Sequence, residues 1–224
     1  MAEDYLTDDE QVEAVKRWTA ENGLWVLGGI VIGAVLLFGW RYYESYRNEH
    51  ALKAAAQFGD MTAALDRGDR VVARRIADGL IRDYSNTPYA DQAELARARL
   101  SVEANDLAGA VAPLTAVMSG SSDEELRNIA RLRLARVLID QGKADAALSA
   151  LADAKAGAFA GRYHEVRGDA LYAKKDLGGA LTEYKSALAA SEAHGVDAGL
   201  LQLKIADIGA LAAPAPGATA KATP

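Results

Sequence analysis

Seventeen consecutive residues, Leu24 to Trp40, carry no charge and no polar group beyond two indoles. As a helix rising about 1.5 Å per residue the run covers roughly 25 Å, and Asn22, Gly23, Tyr42 and Tyr43 at its ends extend it toward the ~30 Å hydrocarbon thickness of a bilayer. Ten of its side chains are large aliphatics or Phe, worth at most about 3–6 kcal/mol of insertion. Trp25 at one end and Trp40, Tyr42 and Tyr43 at the other supply interfacial aromatics. A buried helix of a soluble protein would show a polar stripe, and this run shows none. A cleaved leader needs a basic start and a small-x-small site, whereas the first 23 residues are mostly acidic and Gly39-Trp40-Arg41-Tyr42-Tyr43 follows the run. The expectation is therefore a retained, lipid-embedded single-pass anchor over residues 24–43, preceded by a short segment, residues 1–23.

Charge is unevenly placed. The net charge is −6, and seven acids against Lys16 and Arg17 put −5 of it before the anchor. The remainder is close to neutral, which argues against a nucleic-acid partner. With no cysteine, disulfide and thiol chemistry are both excluded, and either redox compartment is compatible. Lys16 and Arg17 on one side of the span face Arg41, Arg47 and Lys53 on the other, so the positive-inside rule does not decide orientation.

About 180 residues follow the anchor, enough for one domain with a core. They are rich in Ala, Leu, Arg and Glu, a helical composition. The clearest internal unit runs from Gly168 to Leu188: small Gly168 and Ala180 allow two helices to approach, Leu171 and Tyr184 fill the space between them, Asp176 lies in the turn, and Ala187 is a third small position. It resembles a tetratricopeptide repeat. The same pattern recurs at Ala135, Leu138, Gly142, Ala147, Leu151 and Ala154, at Ala98, Asn105, Ala110, Leu114 and Val117, and more weakly at Ala64, Gly68, Asp69, Ala73, Ala77 and Leu80. The second-helix alanines Ala73, Ala110, Ala147 and Ala180 are spaced by 37, 37 and 33 residues, a ~34-residue period with insertions. Tyr84–Ala90 reads as a joint in which Pro88 ends one helix and Asp91 begins the next. Met118–Glu125 reads as another, with Ser122 as N-cap and Glu125 completing a capping box. Val196–Leu211 reads as a last amphipathic helix (Leu200, Leu201, Leu203, Ile205, Ile208) that closes the stack. The predicted fold is all-α: one transmembrane helix, then a solenoid of about four helical hairpins plus a capping helix over residues 44–211, then a Pro/Ala-rich tail over residues 212–224.

No catalytic constellation is legible. His50, His164 and His194 lie far apart without ligand-spaced partners, no nucleotide or nucleophile-elbow motif occurs, and Asp123-Glu124-Glu125 reads as helix N-terminal charge. Neither an enzyme nor a cofactor is expected. Stacked hairpins instead form a concave surface suited to holding protein. Phase from the small first-helix residue places Arg99, Val102 and Glu103, then Arg136, Ile139 and Asp140, then Asp169 and Tyr172 along that surface. Within the anchor, Gly29 and Gly33 form a G-x-x-x-G pair that admits close approach of another membrane helix.

The opening adds a second resemblance. Thr7-Asp8-Asp9-Glu10 forms a capping box, Gln11–Gly23 leads into the anchor, Gly39-Trp40-Arg41-Tyr42 forms its exit, and Leu200–Asp207 the final helix. This arrangement resembles the YfgM family, ancillary subunits of the bacterial SecYEG translocon. The resemblance implies a single-pass type II inner-membrane protein with a cytoplasmic N-terminus and a periplasmic tetratricopeptide domain. It also implies association with SecYEG and with PpiD, a membrane-anchored chaperone of prolyl-isomerase type, and a part in passing translocating periplasmic or outer-membrane clients to periplasmic chaperones. A repeat scaffold for another envelope assembly or division machine would have the same parts and differ in partner.

Overall fold

The computed structural model describes residues 8–152, 156–190 and 196–212. The tail beyond Ala212 and the sequence readings at Thr7, Ala154 and His194 lie outside them. The described residues form helices α1 (Asp8–Asp66), α2 (Arg70–Asp83), α3 (Pro88–Glu103), α4 (Leu107–Gly120), α5 (Glu124–Asp140), α6 (Ala144–Ala150), α7 (Ala160–Ala173), α8 (Leu177–Ala189) and α9 (Ala198–Ala212). No strand occurs among them. The chain divides into two units, residues 1–53 and 54–224.

The described residues of the first unit, 8–53, are a single stretch of α1. Its most apolar 18-residue window has a mean hydropathy of 2.1, and none of that window is buried against protein. Leu24 and Trp25 are each 82% exposed, an exposure that water would penalise and a bilayer would not. Length and apolarity make this helix a candidate membrane span. Gly29 and Gly33 sit four residues apart on it, and a Cβ added at either would meet no atom within 4 Å. The sequence reading opened the repeat domain at residue 44, while the second unit opens at Ala54. Tyr46 and Leu52 are exposed, and the apolar core begins at Ala54.

The second unit is a row of helical hairpins set by one recurring turn. The backbone turns through positive φ at Gly68 (76°), Asn105 (59°), Gly142 (74°) and Lys175 (68°), each five residues before a second-helix alanine. Around each, two bonds close the first helix: Asp69 N–H to the Ala64 carbonyl and Gly68 N–H to that of Leu65, repeated as Asp106–Ser101 with Asn105–Val102, Lys143–Leu138 with Gly142–Ile139, and Asp176–Leu171 with Lys175–Tyr172. This is the Schellman closure, in which a left-handed residue satisfies carbonyls that the helix end leaves open. The residue that finishes one helix then caps the next. Carboxylates of Asp69, Asp106 and Asp176 accept from the N–H groups of Val72, Gly109 and Gly179 at 3.1, 2.8 and 2.9 Å. Lys143 makes no such side-chain cap. At positions 109 and 179 the capping aspartate occupies the space a Cβ would take, whereas Asp69 makes the same bond to Val72 in the first hairpin.

The joints between hairpins differ from the sequence reading in two details. Pro88 does not end a helix. It opens α3 as the first-turn residue, where its missing N–H costs nothing. At the next joint the cap is Asp123 and not Ser122: its carboxylate accepts from the N–H groups of Glu125 and Leu126 at 2.8 and 3.3 Å and adds a negative charge to the helix N-terminus. Ser121 donates to Asp91 at 2.6 Å, tying this joint back to α3.

Packing follows the small residues. Ala73, Ala110, Ala147 and Ala180 are all 0% exposed. Successive apolar clusters connect the hairpins, including Leu95, Leu114, Val117 and Leu134 between α3, α4 and α5 and Leu132, Leu151, Tyr163 and Val166 between α5 and α7 and their neighbours. A buried bond from the Tyr163 hydroxyl to the Asn128 side-chain oxygen (2.8 Å) crosses the second of these. Helix α9 buries Leu201 and Ile208 on α8 while Leu200 and Leu203 remain exposed.

Gly168 faces the Tyr184 ring so closely that an added Cβ would lie on its edge atoms. Gly168→Ala should therefore cost about 1–3 kcal/mol by overpacking. Gly59→Ala, in helix with open space around it, should instead gain about 0.5–1 kcal/mol. Guanidinium unfolding of the detergent-solubilised protein, followed by circular dichroism, measures both. Shifts of the same sign would contradict the packing at Gly168.

Candidate functional site

A groove of about 430 Å³ opens between α3, α4 and α5. Its floor is apolar and buried (Ala98, Leu114 and Val137), and Val102, Arg99, Glu103, Arg133, Arg136 and Asp140 form its walls. Five of the eight residues expected from repeat phase meet here: Arg99, Val102, Glu103, Arg136 and Asp140. They converge because successive first helices, α3 and α5, lie side by side and each presents the same face. Arg99 bonds Glu103 at 2.7 Å one turn away, and Arg70 from α2 reaches the other carboxylate oxygen at 3.2 Å. The hydrogen bond and charge of Arg99, with Arg70 beside it, hold the Glu103 carboxyl below its usual range.

Arg133 lines the groove although phase counting passed it over. Counting forward from the buried Ala135 finds Arg136, Ile139 and Asp140 and misses a side chain two residues earlier. Its helical spacing of three from Arg136 is the signal that would have found it. Arg133 is exposed, and desolvation against the groove wall, with the positive charges of Arg99 and Arg136 nearby, pushes its guanidinium below its ordinary value. Ile139 is placed elsewhere: it is half-buried and packs against the Leu132, Ala135, Leu151 and Tyr163 cluster.

Asp169 and Tyr172 line a second, smaller recess of about 210 Å³ with Tyr184, Lys204 and Asp207, between α7, α8 and α9. Here the chain satisfies its own charges. The Lys204 ammonium donates to Asp169 at 2.8 Å and Glu165 at 3.0 Å, and it lies 5.3 Å from the centre of the Tyr184 ring, within cation–π range. The Tyr184 hydroxyl donates to Asp169 at 2.8 Å, and the Tyr172 hydroxyl to Asp207 at 3.0 Å. Burial and the adjacent Asp169 push the Tyr184 phenol far up. For Lys204, burial acts to lower the pKa, and the bonds to Asp169 and Glu165 outweigh it, so the ammonium is held charged. The two residues expected to face a partner are thus engaged by α9.

No group of three or more His, Cys, Asp or Glu side chains suited to a metal occurs among the described residues. His164 sits 2.7 Å from Glu183, and His50 lies beside the Tyr46 ring, centroids 5.9 Å apart.

Lys204→Met should leave Asp169 without its cation and Glu165 with only the 3.8 Å contact to Arg136, destabilising the protein by about 1–3 kcal/mol, a partly exposed version of breaking a buried pair. Lys53→Met, which breaks an exposed pair with Glu49, should cost under about 0.5 kcal/mol. Thermal melts of the two variants at low salt compare them. An equal effect would show that α9 is not held by this network.

The model of the family described as tetratricopeptide repeat-like domain matches residues 16–210. The chain is 35% identical to an ancillary SecYEG translocon subunit of Escherichia coli, over 81% of this chain and 87% of the relative. It is 29% identical to that of Haemophilus influenzae, over 81% and 89%, and 26% identical to that of Neisseria gonorrhoeae, over 90% and 97%. No solved structure matches.

Proposed function

The chain belongs to the family of ancillary SecYEG translocon subunits, and on that premise we propose that it is a non-enzymatic adaptor of the translocon in the bacterial inner membrane. In this reading the N-terminal segment lies in the cytoplasm, α1 crosses the bilayer once, and the tetratricopeptide domain stands in the periplasm. The span meets SecYEG laterally. The domain binds protein, including PpiD and clients leaving the translocon, and helps pass those clients to periplasmic chaperones. The observation that carries this reading is that one family model covers residues 16–210, the apolar run and the repeats together, so the anchored-repeat architecture is shared as a whole. An unburied apolar window and a groove with apolar floor and charged walls support the same division of labour.

Gly29→Ile combined with Gly33→Ile keeps the span apolar and blocks close helix approach. Membranes holding equal amounts of protein should yield several-fold less SecYEG on co-purification in mild detergent with this variant. Protease added to spheroplasts should digest the chain beyond about Tyr43. A domain that survives until the inner membrane is breached would reverse the orientation, and failure of the unmutated protein to recover SecYEG would remove the adaptor role.

A further inference from the structure

The groove between α3, α4 and α5 and the recess between α7, α8 and α9 occupy equivalent places in the repeat. Seventy residues separate Ala110 from Ala180, and the same offset takes Arg99 to Asp169, Val102 to Tyr172 and Leu114 to Tyr184. Their contents differ in a way that names a ligand. In the later recess the Lys204 cation meets two carboxylates, Glu165 and Asp169, and tyrosines occupy the space. In the earlier groove the positions equivalent to those carboxylates are Leu95 and Arg99. Leucine replaces one acid, arginine replaces the other, and Leu134 takes the place of Lys204, while Leu114 and Val102 stand where Tyr184 and Tyr172 fill the later site. The result is twice the volume, an aliphatic floor, and an Arg133 guanidinium that makes no hydrogen bond or ion pair among the described residues.

The other charges do not supply what Arg133 lacks. Glu103 is shared between Arg99 and Arg70, Arg136 reaches only as far as Glu165 at 3.8 Å, and Asp140 lies one turn beyond Arg136 on α5. Three guanidinium groups, from Arg99, Arg133 and Arg136, therefore border one apolar floor. A guanidinium left beside like charges favours an incoming carboxylate, which it can hold through paired N–H donors. The free volume suits a few side chains and not a folded surface.

We propose that this groove binds a short segment of another protein that carries a glutamate or aspartate side chain next to aliphatic ones, the carboxylate on Arg133 and the aliphatic groups on Val102, Leu114 and Val137. This rests on the reading of the repeats as a protein-binding domain and specifies which sequences they select.

The test is fluorescence anisotropy with the full chain in detergent and three labelled, C-terminally amidated octapeptides: alternating leucine and glutamate, the same with glutamine for glutamate, and the same with lysine. The glutamate peptide should bind at least about tenfold more tightly than the glutamine one, the lysine peptide should not bind, and raising the salt to 0.5 M should weaken binding strongly. Arg133→Gln should weaken the glutamate peptide about tenfold with an unchanged melting temperature, because Arg133 bonds no other described residue. Val102→Asp, which sets a negative charge on the exposed wall, should weaken it as well. Equal binding of the glutamate and glutamine peptides, no binding of any, unchanged binding by Arg133→Gln, or equally effective competition by millimolar inorganic phosphate would each overturn the proposal. Co-purification of SecYEG with the unmutated protein is measured in parallel. If SecYEG is recovered and the peptides fail, the groove assignment alone falls, and if the peptides bind and SecYEG is not recovered, the translocon role falls.

Discussion

Everything in the repeat domain depends on how closely two antiparallel helices can approach just after a three-residue reversal. Alanine at positions 73, 110, 147 and 180, each without solvent exposure, removes all side chain beyond Cβ at that point, and the left-handed residue with its Schellman closure fixes the angle of entry. Once that geometry recurs, each hairpin presents an apolar edge to the next, and the core becomes a chain of clusters without a single centre. The two features reinforce one another. A bulkier second-helix residue would splay the hairpin, and a residue unable to adopt positive φ would strain the turn that brings the alanine into place.

Much of this was legible in the sequence, and the reasons are local. The alanine register, the turn residues Gly68, Asn105 and Gly142, and the apolar run of α1 are patterns of period and residue type, which a helix reads out directly. The misreadings fall where two neighbouring residues can do the same job. Ser122 and Asp123 are both good caps, and the fold uses the one whose carboxylate reaches two amides. Pro88 can close a helix or open one, and α3 takes it at its first turn. Lys175 adopts positive φ with no composition signal at all, held there by the bonds on either side of it.

The concave face was only partly legible because it is tertiary in origin. Phase brought Arg99, Val102, Glu103, Arg136 and Asp140 to one groove. It could not tell that Asp169 and Tyr172, in the same phase, would be taken by α9, since the partners Lys204 and Asp207 lie 35 residues away. Nor could it tell that Ile139 would serve the core beneath the face. Capping helices are expected at the end of such arrays, but which first-helix residues they engage depends on side chains that no repeat pattern specifies.

Helix α6 has a consequence of its own. It is seven residues long, under two turns, and its cap position holds Lys143, whose side chain does not cap it, where the other three hairpins use aspartate. In a stack whose parts touch only their neighbours, free energy of opening is set link by link. The third hairpin thus has the shortest second helix and no aspartate cap, and the Tyr163–Asn128 bond joins α7 directly to α5 beside it. A short helix that lacks its cap opens at less cost than its longer, capped counterparts, so the amide hydrogens of α6 should exchange with solvent sooner than those of α4 or α8.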